Sequence, residues 1–198
     1  MFTGIIEDLG TIIDISQQKQ NTVLTVQSKI SSELKIDQSL SHNGICLTVI
    51  EVKENQHQVC LVPETLSKTT ATNWQIGQLI NLERCMQFNG RRDGHLVQGH
   101  VDTTLTCLNR IDGAENWVFT FELPARFAHL VVEKGSICIN GTSLTCFEIT
   151  DNSFDVAIIP YTFYNTSIQV IQIGSKVNIE FDIVGKYIQR IAQARYNS

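Results

Sequence analysis

The strongest constraint on this chain is an echo. His42 to Val52 reads HNGICLTVIEV, and Ile139 to Ile149 reads INGTSLTCFEI. At an offset of 97 residues, 43–83 lies on 140–180 without a gap, and fifteen of the 41 positions are identical: Asn43, Gly44, Leu47, Thr48, Glu51, Asn55, Val59, Pro63, Thr65, Thr69, Gln75, Ile76, Gly77, Asn81 and Glu83. Chance leaves only a few identities, and so long a period belongs to a duplicated domain rather than to a solenoid unit. Whatever fold the chain takes must be built twice, from copies of roughly half of its 198 residues, each able to bury its own core.

Inside each copy lies an Asn-Gly, the residue pair that suits the two positive-φ positions of a type I′ hairpin turn. Alternation along the strand that leaves the turn puts Cys46, Thr48 and Ile50 on one face, and Ser143, Thr145 and Phe147 on the matching face of the second copy. Threonine is a good strand former and cysteine a small core residue, but recurrence of the small polar pair marks it as a candidate site. Around it the first copy reads as a hairpin from Thr11 to Ile15 and Asn21 to Ser28, a helical turn at Ser31 to Leu34, a second hairpin turning at Glu54-Asn55, a stop at Pro63 and a last strand after Gly77. The second copy reads as strands at Thr103 to Asn109, Trp117 to Glu122 and Ser136 to Ile139, with a short helix from Ala125 to Val132 after Pro124. Many short strands with closely spaced turns predict an all-β chain, a small closed barrel or sandwich in each copy.

The expected domains are 1–90 and 96–183, joined by the unrepeated stretch from Cys85 to Gly94, with Gly99 to Asp102 answering Gly4 to Glu7. The tail, 184–198, is the one stretch of clear helical period, with Val184, Tyr187, Ile188, Ile191 and Arg195 on one face. A helix this short is marginal alone, so it either folds back on a barrel, the commoner fate, or meets its copies in other subunits.

A net charge of -5 and a pI near 5.5 offer no footprint for nucleic acid, and Arg91-Arg92 reads as solvated loop. No apolar run approaches a membrane span, and MFTGIIEDLG lacks the features of a signal peptide, so a cytoplasmic protein with no membrane partner is expected. The six cysteines form no CxxC pair and are expected as reduced thiols; His95 and His100 lack the i, i+4 spacing of helical metal ligands. No metal or cofactor is expected. The sequons at Asn140 and Asn165 read as accidents of composition.

The segments MFTGIIE, NGICLTV, VPETLSKT, DGHLVQGHVD, NGTSLT, IIPYT and VNIEFDIVGKY, in this order and duplicated as they are, resemble the riboflavin synthase family of alpha-chain type along essentially the whole chain. The resemblance implies two tandem six-stranded Greek-key barrels with a C-terminal helix and a homotrimer held partly by those helices. It also implies the dismutation of two 6,7-dimethyl-8-ribityllumazine molecules to riboflavin and 5-amino-6-ribitylamino-uracil, without cofactor or metal. Two like pockets, from the first barrel of one subunit and the second barrel of a neighbour, would hold the pair face to face and remove the entropic barrier to their encounter.

Carried over by position, the catalytic candidates are His100 for acid–base work, with Ser143, Thr145 and Cys46. Thr48 joins them in lining the ring pockets, Phe2 packs on a ring, Ser39, Thr65, Thr162 and Lys134 contact ring or ribityl chain, and Asp182 is a further polar group. Departures from the family pattern are Asp93 before Gly94-His95, Asn140 and Tyr161; the bulky Phe163-Tyr164 pair is expected to crowd the second pocket. Two rivals stand beside this reading. One is a non-catalytic lumazine or flavin antenna protein. The other is a flavin-dependent reductase, which lacks support because no Arg-x-Tyr-Ser/Thr signature or nicotinamide-binding βαβ half is present.

Overall fold

The computed structural model describes residues 1–87, 89–90 and 93–196, so the reading of Arg91-Arg92 lies outside the described residues. Strands β1 (Asp8–Gln18), β2 (Asn21–Gln27), β3 (Ser39–His42), β4 (Ile45–Lys53), β5 (Gln56–Leu61) and β6 (Leu79–Arg84) close into a barrel in the order β1-β2-β5-β4-β3-β6. Strands β7 (Thr103–Asp112), β8 (Trp117–Glu122), β9 (Ser136–Ile139), β10 (Thr142–Phe147), β11 (Ser153–Ile158) and β12 (Lys176–Phe181) close in the equivalent order, β7-β8-β11-β10-β9-β12. Neighbouring strands are antiparallel throughout.

Period-two patterning sets the inside of each barrel. In β5, His57, Val59 and Leu61 face in while Gln56, Gln58 and Cys60 face out; in β8, Trp117, Phe119 and Phe121 face in. Bulges at Ile12/Asp14, Val49/Glu51 and Cys107/Asn109 bend β1, β4 and β7, which lets short sheets close. The first core is aliphatic, centred on Ile12, Leu40, Val49, Val59, Leu61 and Leu82, and the second is aromatic, centred on Phe119, Phe121, Phe154 and Phe181. Each such fully buried side chain contributes about 1.5–3 kcal/mol. The duplication thus keeps the backbone while the packing has diverged.

Helices α1 (Pro63–Lys68) and α2 (Pro160–Asn165) start at proline, whose missing N–H costs nothing in a first turn. The Thr69 and Thr166 hydroxyls end them, each donating to the carbonyl four residues back at 2.8 Å and accepting the amide two residues on. Phe163 does not crowd a pocket, contrary to expectation. Its ring stacks flat on the inward-facing Trp117 at 3.8 Å between centroids, as part of its own barrel's core.

A chain of buried polar groups runs through the first barrel. The Leu40 carbonyl can only accept, so His42 carries its proton on Nδ1 and its Nε2 must accept from His57 Nε2–H at 2.9 Å. His57 Nδ1 then accepts from Ser31, which accepts from Ser28. With both rings neutral, every group in this chain has a partner.

The barrels meet along a near-twofold seam made from repeated residues. Both Asn-Gly turns have positive φ, 47° and 80° at Asn43-Gly44 and 46° and 82° at Asn140-Gly141, and they face each other. A Cβ on Gly44 would lie 2.8 Å from Gly141 N, and one on Gly141 the same distance from Gly44 N. Asn81 Nδ2 donates to the Asn140 carbonyl at 2.8 Å and Asn178 Nδ2 to the Asn43 carbonyl at 2.9 Å. Asn81 Oδ1 accepts from Ser167 N, and Asn178 Oδ1 from Thr70 N.

Helix α3 (Ile183–Tyr196) starts where Val184 N donates to Asp182 Oδ1 and is tied by the ion pair of Lys186 with Asp102. Its apolar stripe does not fold back: Val184, Tyr187, Ile188 and Ile191 are 55–66% exposed. No helix among the described residues is long and apolar enough to cross a membrane.

Candidate functional site

The site is organised by two arms that exchange between the barrels. Phe2 and Val97 pair through N–H to carbonyl bonds of 2.7 and 3.1 Å and His95 N donates to the Thr3 carbonyl at 3.1 Å, so residues 2–3 and 95–97 run antiparallel across the seam. The Gly99 carbonyl accepts from Cys46 N at 2.8 Å, and the Gly4 carbonyl accepts from Ser143 N at 2.8 Å. The segment that begins the second barrel therefore lies on the first barrel's polar strand, and the segment that begins the first lies on the second's. Glycine is required at both crossings: φ is +80° at Gly99 and +78° at Gly4, and an added Cβ would come within 2.7 Å of Cys46 Cβ and 2.6 Å of Ser143 Cβ.

In the first barrel β3 and β4 pair Ser39 with Thr48 and Ser41 with Cys46. Thr48 is exposed and Ser39 and Cys46 are half-buried, so the expected polar face is open while Leu47 and Val49 fill the core. The Cys85 thiol donates to the Ser39 carbonyl at 3.5 Å. His100 is exposed and follows Gly99 directly, which brings it to the edge of this face. Burial pushes the Cys46 thiol up, offset in part by a hydrogen bond with Ser39, so Cys46 is protonated at neutral pH and a poor nucleophile.

In the second barrel Ser143 pairs across from Cys138 and Thr145 from Ser136. Ser143 Oγ lies 2.6 Å from His95 Nδ1. Burial lowers the His95 imidazole below its ordinary value, and the Asp182 carboxylate partly restores it, so the ring is neutral and able to accept a proton near pH 7. Lys134 is exposed, with its ammonium 5.5 Å above the Phe147 ring. A cavity of about 690 Å³ opens beside Ser136 and Asp182, roofed by Val184 and Ile188 of α3. Thr65 and Thr162 sit at equivalent places on α1 and α2, both half-buried.

The structure brings Ser39, Cys46, Thr48 and the His100 backbone together at one site, and Ser143 and Thr145 with Lys134 and Asp182 at the other. Phe2 is a correction. Its ring has no exposed surface, wedged with Val97 and Cys138 in the seam, so it holds the arms and offers no face to a ligand. His95 is the residue that sequence reasoning passed over, because its spacing to His100 was weighed only for metal binding. Among the described residues no His, Cys, Asp and Glu group could hold a metal ion.

The two sites share a backbone and differ in chemistry. Asp37 and Lys134 occupy equivalent left-handed positions, φ 68° and 63°, each donating its N–H to the strand beside it, at Val49 and Cys146. Ile5 corresponds to His100, Cys46 to Ser143 and Cys85 to Asp182.

The family model "Lumazine binding domain" matches twice, over residues 3–85 and 98–182. The riboflavin synthases of Bacillus amyloliquefaciens and Bacillus subtilis are each 41% identical over 192 residues, covering 96% of this chain and 89% of theirs. A crystal structure of LumP complexed with riboflavin superposes with a TM-score of 0.85 at 21% identity, over 91% of this chain and 99% of that one, which shows a shared fold. With both lumazine-binding repeats matched and the likeness running nearly end to end, the chain belongs to the riboflavin synthase family of enzymes.

Proposed function

We propose that the chain dismutates two molecules of 6,7-dimethyl-8-ribityllumazine, moving a four-carbon unit from one to the other so that one becomes riboflavin and the other 5-amino-6-ribitylamino-uracil. The observation that carries this reading is the pair of sites with one backbone and two chemistries. Two copies of one molecule must play unlike roles, and sites that differ at Asp37/Lys134, Ile5/His100, Cys46/Ser143 and Cys85/Asp182 can assign them. The proton to be removed sits on the C7 methyl of one molecule, and a neutral imidazole is a base suited to that task near neutral pH. His95 with Ser143 serves one site and His100 the other. Cys46, held as a thiol, donates hydrogen bonds, and water adds transiently at C7 of the second molecule and is expelled again before the products form.

The apolar stripe of α3 is left largely uncovered by its own chain. In the proposed assembly α3 joins three subunits, and the first barrel of one faces the second barrel of its neighbour, which brings the two substrate molecules together. Protein mixed with the lumazine alone should yield one riboflavin per two lumazines consumed, read by absorbance and chromatography. Uptake of lumazine that is returned intact would instead favour a carrier of the antenna kind.

A further inference from the structure

Two buried glutamates lie outside the sites and inside the arms. Glu180, in β12 of the second barrel, receives three successive backbone N–H groups: Gln98 on Oε1 at 2.6 Å, and Gly99 and His100 on Oε2 at 2.8 Å. Glu83, in β6 of the first barrel, receives Thr3 N at 2.6 Å and the Thr3 hydroxyl at 2.7 Å on Oε1, and Gly4 N at 2.9 Å on Oε2. They are 2% and 3% exposed, and burial pushes both carboxyls up, against which the arm amides pull. Consecutive N–H groups converging on one anion form a nest, which fixes the backbone that makes it.

Each arm is therefore held at two ends by different barrels. Glu180 of the second barrel grips the amides of residues 98–100, and the carbonyl of Gly99 is gripped by Cys46 N of the first barrel. Glu83 of the first barrel grips Thr3-Gly4, and the carbonyl of Gly4 is gripped by Ser143 N of the second. We propose that these are crossed positioning residues: Glu180 sets the first barrel's site by placing His100 over β4, and Glu83 sets the second barrel's site by placing Gly4-Ile5 over β10. A glutamate with a merely structural role would support its own barrel. The geometry assigns each one to the other.

The backbone part of this assignment stands on the arms alone, and its consequence for substrate rests on the proposed reading of the two sites. Amide hydrogen exchange on the full-length chain tests both. Glu180→Gln turns an NH2 toward an arm donor and removes a charge-assisted bond, so the Cys46 amide should exchange about tenfold faster while Ser143 and the strands around Glu180 stay protected. Glu83→Gln should do the reverse, loosening Ser143 and sparing Cys46. Added 6,7-dimethyl-8-ribityllumazine should protect β4 and β10 in the native chain, β10 alone in Glu180→Gln and β4 alone in Glu83→Gln. If a Gln variant fails to fold, Glu180→Asp and Glu83→Asp keep the charge, withdraw it by one methylene and should show the same ordering. Loosening confined to the mutated barrel, equal loosening of both strands, or no effect on either arm-bound amide would overturn the assignment. A native chain in which lumazine protects neither strand would sink the substrate reading and leave the amide result standing.

Discussion

His42 and His57 show what burial does to single side chains here. Burial lowers both imidazoles, His42 well below its ordinary value, with the neighbouring His57 adding to the effect, and His57 to about 4. Each ring binds its proton more weakly folded than unfolded, so unfolding takes up protons below the ordinary value near 6.5. Their contribution is intact above pH 6.5 and is lost as pH falls toward 4, at about 1.4 kcal/mol per pH unit for each proton taken up. Glu83 and Glu180, raised by burial, bind protons more tightly in the folded chain and work in the opposite direction. The histidine share is isolated by difference: the melting temperature of His42→Leu/His57→Leu should fall less between pH 7 and pH 5 than that of the native chain, by circular dichroism. At the sites, His100→Gln and His95→Gln should each lower turnover by about a hundredfold while weakening lumazine binding far less, since the role proposed for both imidazoles is proton transfer. Unchanged turnover in either variant would retire that residue's role, and a parallel loss of binding would mark it as a binding contact.

Among the elements, the two Asn-Gly turns serve the hairpins and the seam at once. Gly44→Ala meets both a positive φ and a backbone nitrogen at 2.8 Å, whereas Gly77→Ala meets a φ of +88° with open space around it. Gly77→Ala should cost about 1 kcal/mol and Gly44→Ala at least about 2 kcal/mol, measured by urea unfolding. Equal costs would mean that the turns do not bear on each other. Helix α3 makes a separate test. Ile188→Asp/Ile191→Asp puts like charges on an exposed stripe, so the isolated chain should fold normally and lose the proposed assembly and most of its activity together, as read by light scattering beside the lumazine assay. A fully active monomer would remove α3 from the assembly.

The whole molecule has two cores and one unfolding unit. The arms cross in both directions, and the seam buries Asn43, Asn81, Asn140 and Asn178 with their partners on the far barrel, so neither barrel can open without orphaning polar groups of the other. Calorimetry should show a single transition whose calorimetric and van't Hoff enthalpies agree, despite the duplicated architecture. Two resolved transitions, each with about half of the enthalpy, would show that the exchange of arms does not couple the barrels.

By itself the sequence determined the local and the repeated: the duplication, the strands, the I′ turns, the stop at Pro63, and the outward face that carries Cys46, Thr48, Ser143 and Thr145. These follow from the period of two, the φ preferences of Asn-Gly and the missing amide of proline, all of which act within a few residues. Tertiary structure decided what the repeated residues face. Asn43, Gly44 and Asn81 recur because each meets the opposite copy, and Glu83 because it holds the arm that crosses to that copy; the bond from Asn178 to Asn43 spans 135 positions and leaves no period to read. The same holds for Phe2, which the seam hides, and for His95, which the crossing arm brings to Ser143. Contacts between distant segments are set by how two closed barrels fit together, and that fit depends on shape and buried polar pairing that no local pattern encodes.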